Sequence, residues 1–228
     1  MENTTVPDRT RCYASALIIG LGLLISAAAI TAPAAAAPEP SIVPSRWQLD
    51  FRPGDLRLIT LDVEVPVEYA DGTVGTDTQP RSYLYFTYEV VNNTGENLLF
   101  APSFELATEE NRVLRSGRNV PSEVLSTLLD RLENPFLEDE ISVIRTLEQG
   151  VEFAREGLVV WPAETLKADD LKIFAKGFSG ETKTITRPDT GENVTLYKVM
   201  MLRYETPGDV AAAGNRPLEL AETRWILR

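Results

Sequence analysis

Tyr83-Leu84-Tyr85-Phe86-Thr87-Tyr88-Glu89-Val90-Val91, followed by Asn92-Asn93-Thr94-Gly95, is the stretch whose reading decides the fold class. Leu84, Phe86, Tyr88 and Val90 fall on one side of a period-two repeat, and Tyr83, Tyr85, Thr87 and Glu89 on the other. Aromatic and β-branched residues in that rhythm suit a pleated, half-buried surface. Asn and Gly then supply the side-chain hydrogen bonds and left-handed backbone of a tight turn. A strand and its terminating turn follow from the pattern.

The same rhythm extends in both directions. Upstream, Ile59, Leu61, Val63 and Val65 alternate with Thr60, Asp62 and Glu64 as a half-buried strand. Downstream, Leu98–Phe100 and Phe104–Ala107 read as two short strands separated by Pro102, which cannot donate to a ladder. Further strands are expected at Leu158–Trp161, Leu171–Lys176, Lys183–Arg187, Val194–Tyr204 and Thr223–Leu227. Asp189-Thr190-Gly191-Glu192 makes residues 183–204 a β-hairpin. Val120, Val124, Leu125, Leu128, Leu129 and Leu132 instead fall at helical spacing, with Pro121 in the first turn and Arg131 near the end, which predicts an amphipathic helix over 121–132. Leu137, Ile141 and Ile144 extend the helical reading to Leu147, although Ile141 and Val143 also fit a strand. The helix's apolar stripe is expected to cap the core of the sandwich, the alternative being a groove-binding face.

The fold class expected from these elements is mainly β, a two-sheet antiparallel sandwich with a helical insertion at about 120–147. The run Tyr85 to Asn97 with Phe104-Glu105-Leu106-Ala107, and Gln149-Gly150 followed by Glu156-Gly157-Leu158-Val159-Val160-Trp161-Pro162, resembles the early strands and glycine turn of immunoglobulin-like domains of the telokin-like kind in exported bacterial proteins. The resemblance covers roughly residues 80–178. The whole chain is similar to uncharacterised exported proteins of planctomycete-like bacteria. It departs from the compact immunoglobulin pattern in the helical insertion and the long hairpin after residue 178. The resemblance implies an immunoglobulin-like fold and brings no catalytic residue with it.

Residues 1–36 read as a signal peptide: Arg9 and Arg11 precede an apolar run from Tyr13 to Ile30, and Ala34 and Ala36 supply an A-x-A pattern. An uncleaved anchor is the alternative, because the 21 residues from Cys12 to Ala32 carry no charge. Residues 37–46, with Pro38, Pro40 and Pro44, read as a proline-rich tether, and 47–228 as a single domain. Loss of 1–36 removes two acidic and two basic side chains, so the net charge stays at −12. The expected location is periplasmic or extracellular, with membrane contact only through the N-terminal segment if it is retained.

Composition restricts the chemistry. With no histidine, Ser-His-Asp and Cys-His systems and histidine-bound metals have no counterpart in this chain. The only cysteine, Cys12, lies in the signal segment, ahead of the apolar run that a lipidated cysteine would follow. No phosphate-binding glycine loop or dinucleotide fingerprint is present. The acidic balance repels phosphate backbones, so no nucleic-acid partner is expected, and no basic cluster is visible along the sequence.

No catalytic or cofactor-binding residue is therefore assigned, and no cofactor is expected. Asp169 and Asp170 are candidate Ca²⁺ ligands, and Glu138-Asp139-Glu140 is a second acidic run, but neither has the alternating spacing of a calcium loop. Trp47, Trp161 and Trp225 sit in apolar, strand-like contexts that suit core packing. Lys172, Lys176, Lys183 and Lys198 would be candidate bases if buried, and are expected at outward strand positions. Ser179 lies in a small turn, and the glycosylation acceptor patterns at Asn92 and Asn193 are read as chance matches, Asn92-Asn93 serving as turn residues. The expected function is a non-catalytic binding or structural module of the bacterial envelope with a protein partner. Carboxylate-dependent polysaccharide hydrolysis and calcium-stabilised adhesion are the alternatives.

Overall fold

The computed structural model describes residues 38–228 except 110–111, 164–169, 207–209 and 211–213. Residues 1–36, read above as a signal peptide, with Cys12 among them, and Asp169 lie outside the described residues. The described strands are β1 (Asp50–Glu68), β2 (Val74–Val91), β3 (Leu98–Phe100), β4 (Ser103–Thr108), β5 (Val113–Arg115), β6 (Leu137–Glu138), β7 (Arg145–Leu147), β8 (Arg155–Pro162), β9 (Asp170–Lys176), β10 (Thr182–Thr186), β11 (Asn193–Glu205) and β12 (Glu219–Leu227). One helix, α1 (Ser122–Leu132), stands between β5 and β6. No described helix is long and apolar enough to cross a membrane.

The first sheet has the order β1-β2-β8-β6, in which only β6 runs parallel to its neighbour. The second sheet has the order β10-β11-β9-β4-β5, with β12 on the other edge of β11. β3 and β7 form a separate small ladder. The two large sheets face each other across an apolar core. Leu56, Leu58, Leu84, Phe86, Tyr88, Val90, Val159 and Trp161 from the first sheet meet Phe104, Leu106, Leu171, Ile173, Ala175, Leu202 and Tyr204 from the second. Tyr88, Phe104 and Phe178 fill the centre with ring centroids 4.9 to 5.8 Å apart, spacings at which tilted and edge-to-face aromatic pairs attract. Gly157 is required where Tyr88 crosses it: a Cβ there would lie 2.2 Å from the ring.

The expected strands are present, and several are longer than periodicity indicated, β1 and β2 most of all. β1 and β2 form one hairpin paired from Asp50↔Val91 to Glu68↔Val74, closed by a turn in which Asp71 Oδ1 accepts from the Thr73 N–H and hydroxyl. Polar residues such as Asp77, Thr78 and Gln79 hid its outer half, because a ribbon without a covering layer has no apolar alternation to display.

The helix forms where expected, but it covers a different surface. Val124 and Leu128 pack on Leu61, Val63, Tyr83, Tyr85, Leu158 and Val160, which form the outward face of the first sheet. The helix thus builds a second apolar layer and does not cap the inter-sheet core. This explains why both faces of Tyr83–Val91 are apolar. Glu133, with φ 50°, ends the helix in the left-handed region.

The helical expectation for Leu137–Leu147 is not met: the segment is β6, a turn and β7. Asp139 Oδ1 accepts from the N–H groups of Ile141 and Ser142 at 2.8 and 2.9 Å, and Oδ2 from the Ser142 hydroxyl at 2.8 Å. This local capture of backbone donors competes with helix formation. It leaves Val143 buried and Ile141 81% exposed, the reverse of a helical stripe.

Candidate functional site

Most of the polar groups that the sequence singled out are engaged in holding backbone. Asn92 is fully buried, and its amide donates to Glu96 O and Leu147 O at 2.9 and 2.8 Å while its oxygen accepts from the Thr94 N–H and hydroxyl. The turn after β2 is built around that one side chain, which is inaccessible to a glycosylating enzyme. Ser179 Oγ accepts from the Glu181 N–H at 3.2 Å, so this serine supports a turn.

Lys198 departs from the outward position expected of it. Its side chain is 2% exposed and its Nζ lies 3.0 Å from Glu181 Oε2, which is also buried. Both groups grip the same upstream residue. The Ser41 N–H donates to Glu181 Oε1 at 2.8 Å, and Lys198 Nζ donates to the Ser41 carbonyl at 3.3 Å. The segment expected to be a tether is therefore fastened to the domain at Ser41. Trp47 continues the fastening, since its carbonyl accepts from the Gly180 N–H at 3.0 Å and its indole packs against Gly180. Burial pushes the Glu181 carboxyl up, but the hydrogen bonds from Ser41 and Lys198 and the Lys198 charge outweigh it, and the net shift is downward. A carboxylate and an ammonium locked together in this way are poor candidates for proton transfer.

The acidic candidates are similarly committed. The Asp170 oxygens lie 2.9 Å from Arg203 Nε and 3.2 Å from Lys172 Nζ, which leaves them poorly disposed to receive a cation. Glu138 pairs with Arg145 at 2.6 Å. Glu140 is raised chiefly by burial and accepts from the Ser116 hydroxyl at 2.7 Å. Among the described residues no three carboxylates converge as a metal site would require. Trp161 is wholly buried, and Trp47 and Trp225 pack against the core, so none is a free stacking platform.

A grouping that the linear sequence did not reveal lies on the outward face of the second sheet. Alternate residues of β4, β5, β9 and β11 bring Glu105, Arg115, Phe174, Lys176 and Tyr197 together, and Arg228 folds over them. Two hollows of about 400 and 240 Å³ share Glu105 and Arg115, and Arg118 lines the larger. Lys176 Nζ stands 3.6 Å from the Tyr197 ring centre, and the Arg228 guanidinium 4.0 Å from that of Phe174. Arg228 also pairs with Glu105 at 2.7 Å. Four cations thus surround one carboxylate in a chain of net charge −12. Residues 105, 115, 118, 176 and 228 are too far apart in sequence to read as a cluster, and only the register of the strands assembles them.

A third hollow, about 510 Å³, lies between α1 and the first sheet. Three of its polar groups satisfy one another: Arg57 donates twice to Asp55 Oδ2 and once to Asn215 O. Comparison of the chain with protein-family models, with curated proteins and with solved structures returned no match.

Proposed function

We propose that this chain is a non-catalytic, exported β-sandwich module of the bacterial envelope, of immunoglobulin-like kind, that binds an acidic segment of a protein partner through the outward face of its second sheet. The observation that carries the reading is the cationic groove of Arg115, Arg118, Lys176 and Arg228 around Glu105, set beside Phe174 and Tyr197. A local excess of positive charge on an acidic protein steers a complementary anionic surface toward that face. Partly exposed aromatic rings beside arginines supply the rigid contact area on which interface affinity concentrates. Glu105, the groove's carboxylate, is paired with Arg228 and has no second carboxylate beside it in the groove, which disfavours glycoside hydrolysis there.

The test is affinity capture of tagged protein from crosslinked native envelope, comparing the wild type with an Arg115→Glu/Lys176→Glu/Arg228→Glu variant and reading the bait's own N-terminus by mass spectrometry. The expected result is a near-stoichiometric protein captured by the wild type and lost with the variant. Recovery of the bait alone, or equal capture by the charge-reversed variant, overturns the reading.

A further inference from the structure

β12 forms an edge of the second sheet, bonded to β11 on one side and to no other strand among the described residues. Tyr197 and Arg228 exchange both of their backbone hydrogen bonds, at 2.7 and 2.9 Å. By the alternation of an antiparallel ladder, Ile226, Arg224 and Glu222 also turn their backbone groups inward to β11. Leu227, Trp225 and Thr223 turn theirs outward, where each is an unfilled position for a further strand.

The side chains on that edge spell a sequence complementary to itself. We propose that β12 pairs antiparallel with β12 of a second copy about a two-fold axis at Thr223, joining the two second sheets into one. In this register Thr223 faces Thr223, Glu222 faces Arg224 of the second copy, and Arg224 faces its Glu222. Glu222 and Arg224 of one chain already lie 3.2 Å apart on the outward face, so the axis brings four charges of alternating sign together. Ala221, the extra residue of the bulge facing Arg203 and Tyr204, keeps the new ladder short and centred on Thr223.

The other long open edge does not offer this match. β1 contains Pro53 and Pro66, and its Asp62, Glu64 and Glu68 would oppose one another in a two-fold pairing, the usual protection of an edge against association. β10 is five residues long and carries one charge, Lys183. A two-fold axis perpendicular to the joined sheet leaves the two cationic grooves on the same side, but the pairing does not depend on what those grooves bind.

The test is sedimentation equilibrium of the purified protein over a concentration series from low micromolar to submillimolar. The wild type should show a reversible monomer–dimer equilibrium. Arg224→Glu surrounds the axis with four carboxylates and Glu222→Arg with four cations, and each should weaken dimerisation about tenfold or more, while the double variant restores the alternation and should return within about threefold of the wild type. Circular dichroism identical to the wild type confirms that each variant is folded. Thr223→Cys in a Cys12→Ser background should oxidise to a disulfide-linked dimer, because directly bonded antiparallel residues have Cα atoms about 5.5 Å apart. A wild type that is monomeric throughout, single variants that dimerise like the wild type, a double variant no better than either single one, or a dimer that Thr223→Cys fails to crosslink would each overturn the proposal.

Discussion

The two large sheets treat their outward faces in opposite ways. The first sheet covers Leu61, Val63, Tyr83, Tyr85, Leu158 and Val160 with α1, so that face is a second dry layer. The second sheet has no covering element over Phe174 and Tyr197 among the described residues, and shields them with Arg228 and Lys176. Long cationic side chains bury their methylene stems on apolar surface and keep their charges in water, so they cover a face without closing it. The helix-covered face is buried, and the cation-covered face remains open to solvent.

The contrast requires that a cation of the second sheet matter to folding only where it is enclosed. Lys198 is the enclosed one, and Lys198→Met leaves Glu181 buried without its partner, so a loss of about 3 to 5 kcal/mol is expected in urea unfolding. A variant as stable as the wild type would show that water reaches the pair. On the helix-covered face, Leu128→Ala removes a side chain 1% exposed and should cost about 2 to 4 kcal/mol by the same measurement. A cost below about 1 kcal/mol would mean that α1 is only loosely laid on the sheet.

The buried pair also gives the contrast a pH signature. The Glu181 carboxyl is shifted downward in the folded chain, so the unfolded chain binds its proton more tightly. Its contribution is therefore complete above the ordinary glutamate range and is lost as pH falls through that range toward the folded value. The stability difference between wild type and Glu181→Gln should shrink as unfolding is repeated from about pH 7 down to about pH 3, and a constant difference would rule the ion pair out as its source. The smallest effect belongs to the open face. Arg228→Ala should change stability by less than about 1 kcal/mol, because its contacts with Glu105 and Phe174 are solvent-accessible, while weakening capture of the partner.

The same contrast explains how much of the molecule was legible in the sequence. Strands buried on at least one face announced themselves: the alternation at Ile59–Val65 and Tyr83–Val91 places β1 and β2 correctly, and the Asp189–Glu192 turn joins β10 to β11 as expected. Which face a stripe meets is not encoded in its spacing, so the helix was found but not the surface it covers. The segment after Leu137 misled because Ile141 and Ile144 are apolar yet exposed, and the capture of its backbone by Asp139 is a single-residue event without periodicity. The candidate site was the least legible part. Lys198 alternates like its neighbours and its partner Glu181 lies on another strand's approach, while the groove joins residues from β4 to the C-terminal strand that share only a sheet register.

The position of β2 between β1 and β8 also bears on how the chain reaches this structure. β1 and β2 are consecutive and close through the turn at 69–73, whereas β8 joins β2 only after residues 92–154, with α1 among them, have looped back. Local ladders zip quickly, and a ladder that first requires a long loop to close carries that entropy cost before any contact rewards it. Docking of β8 on β2 is therefore expected after closure of the β1–β2 hairpin. Trp161 pairs with Leu84 across that seam and is wholly buried there, so in a Trp47→Phe/Trp225→Phe background its fluorescence follows the docking of β8.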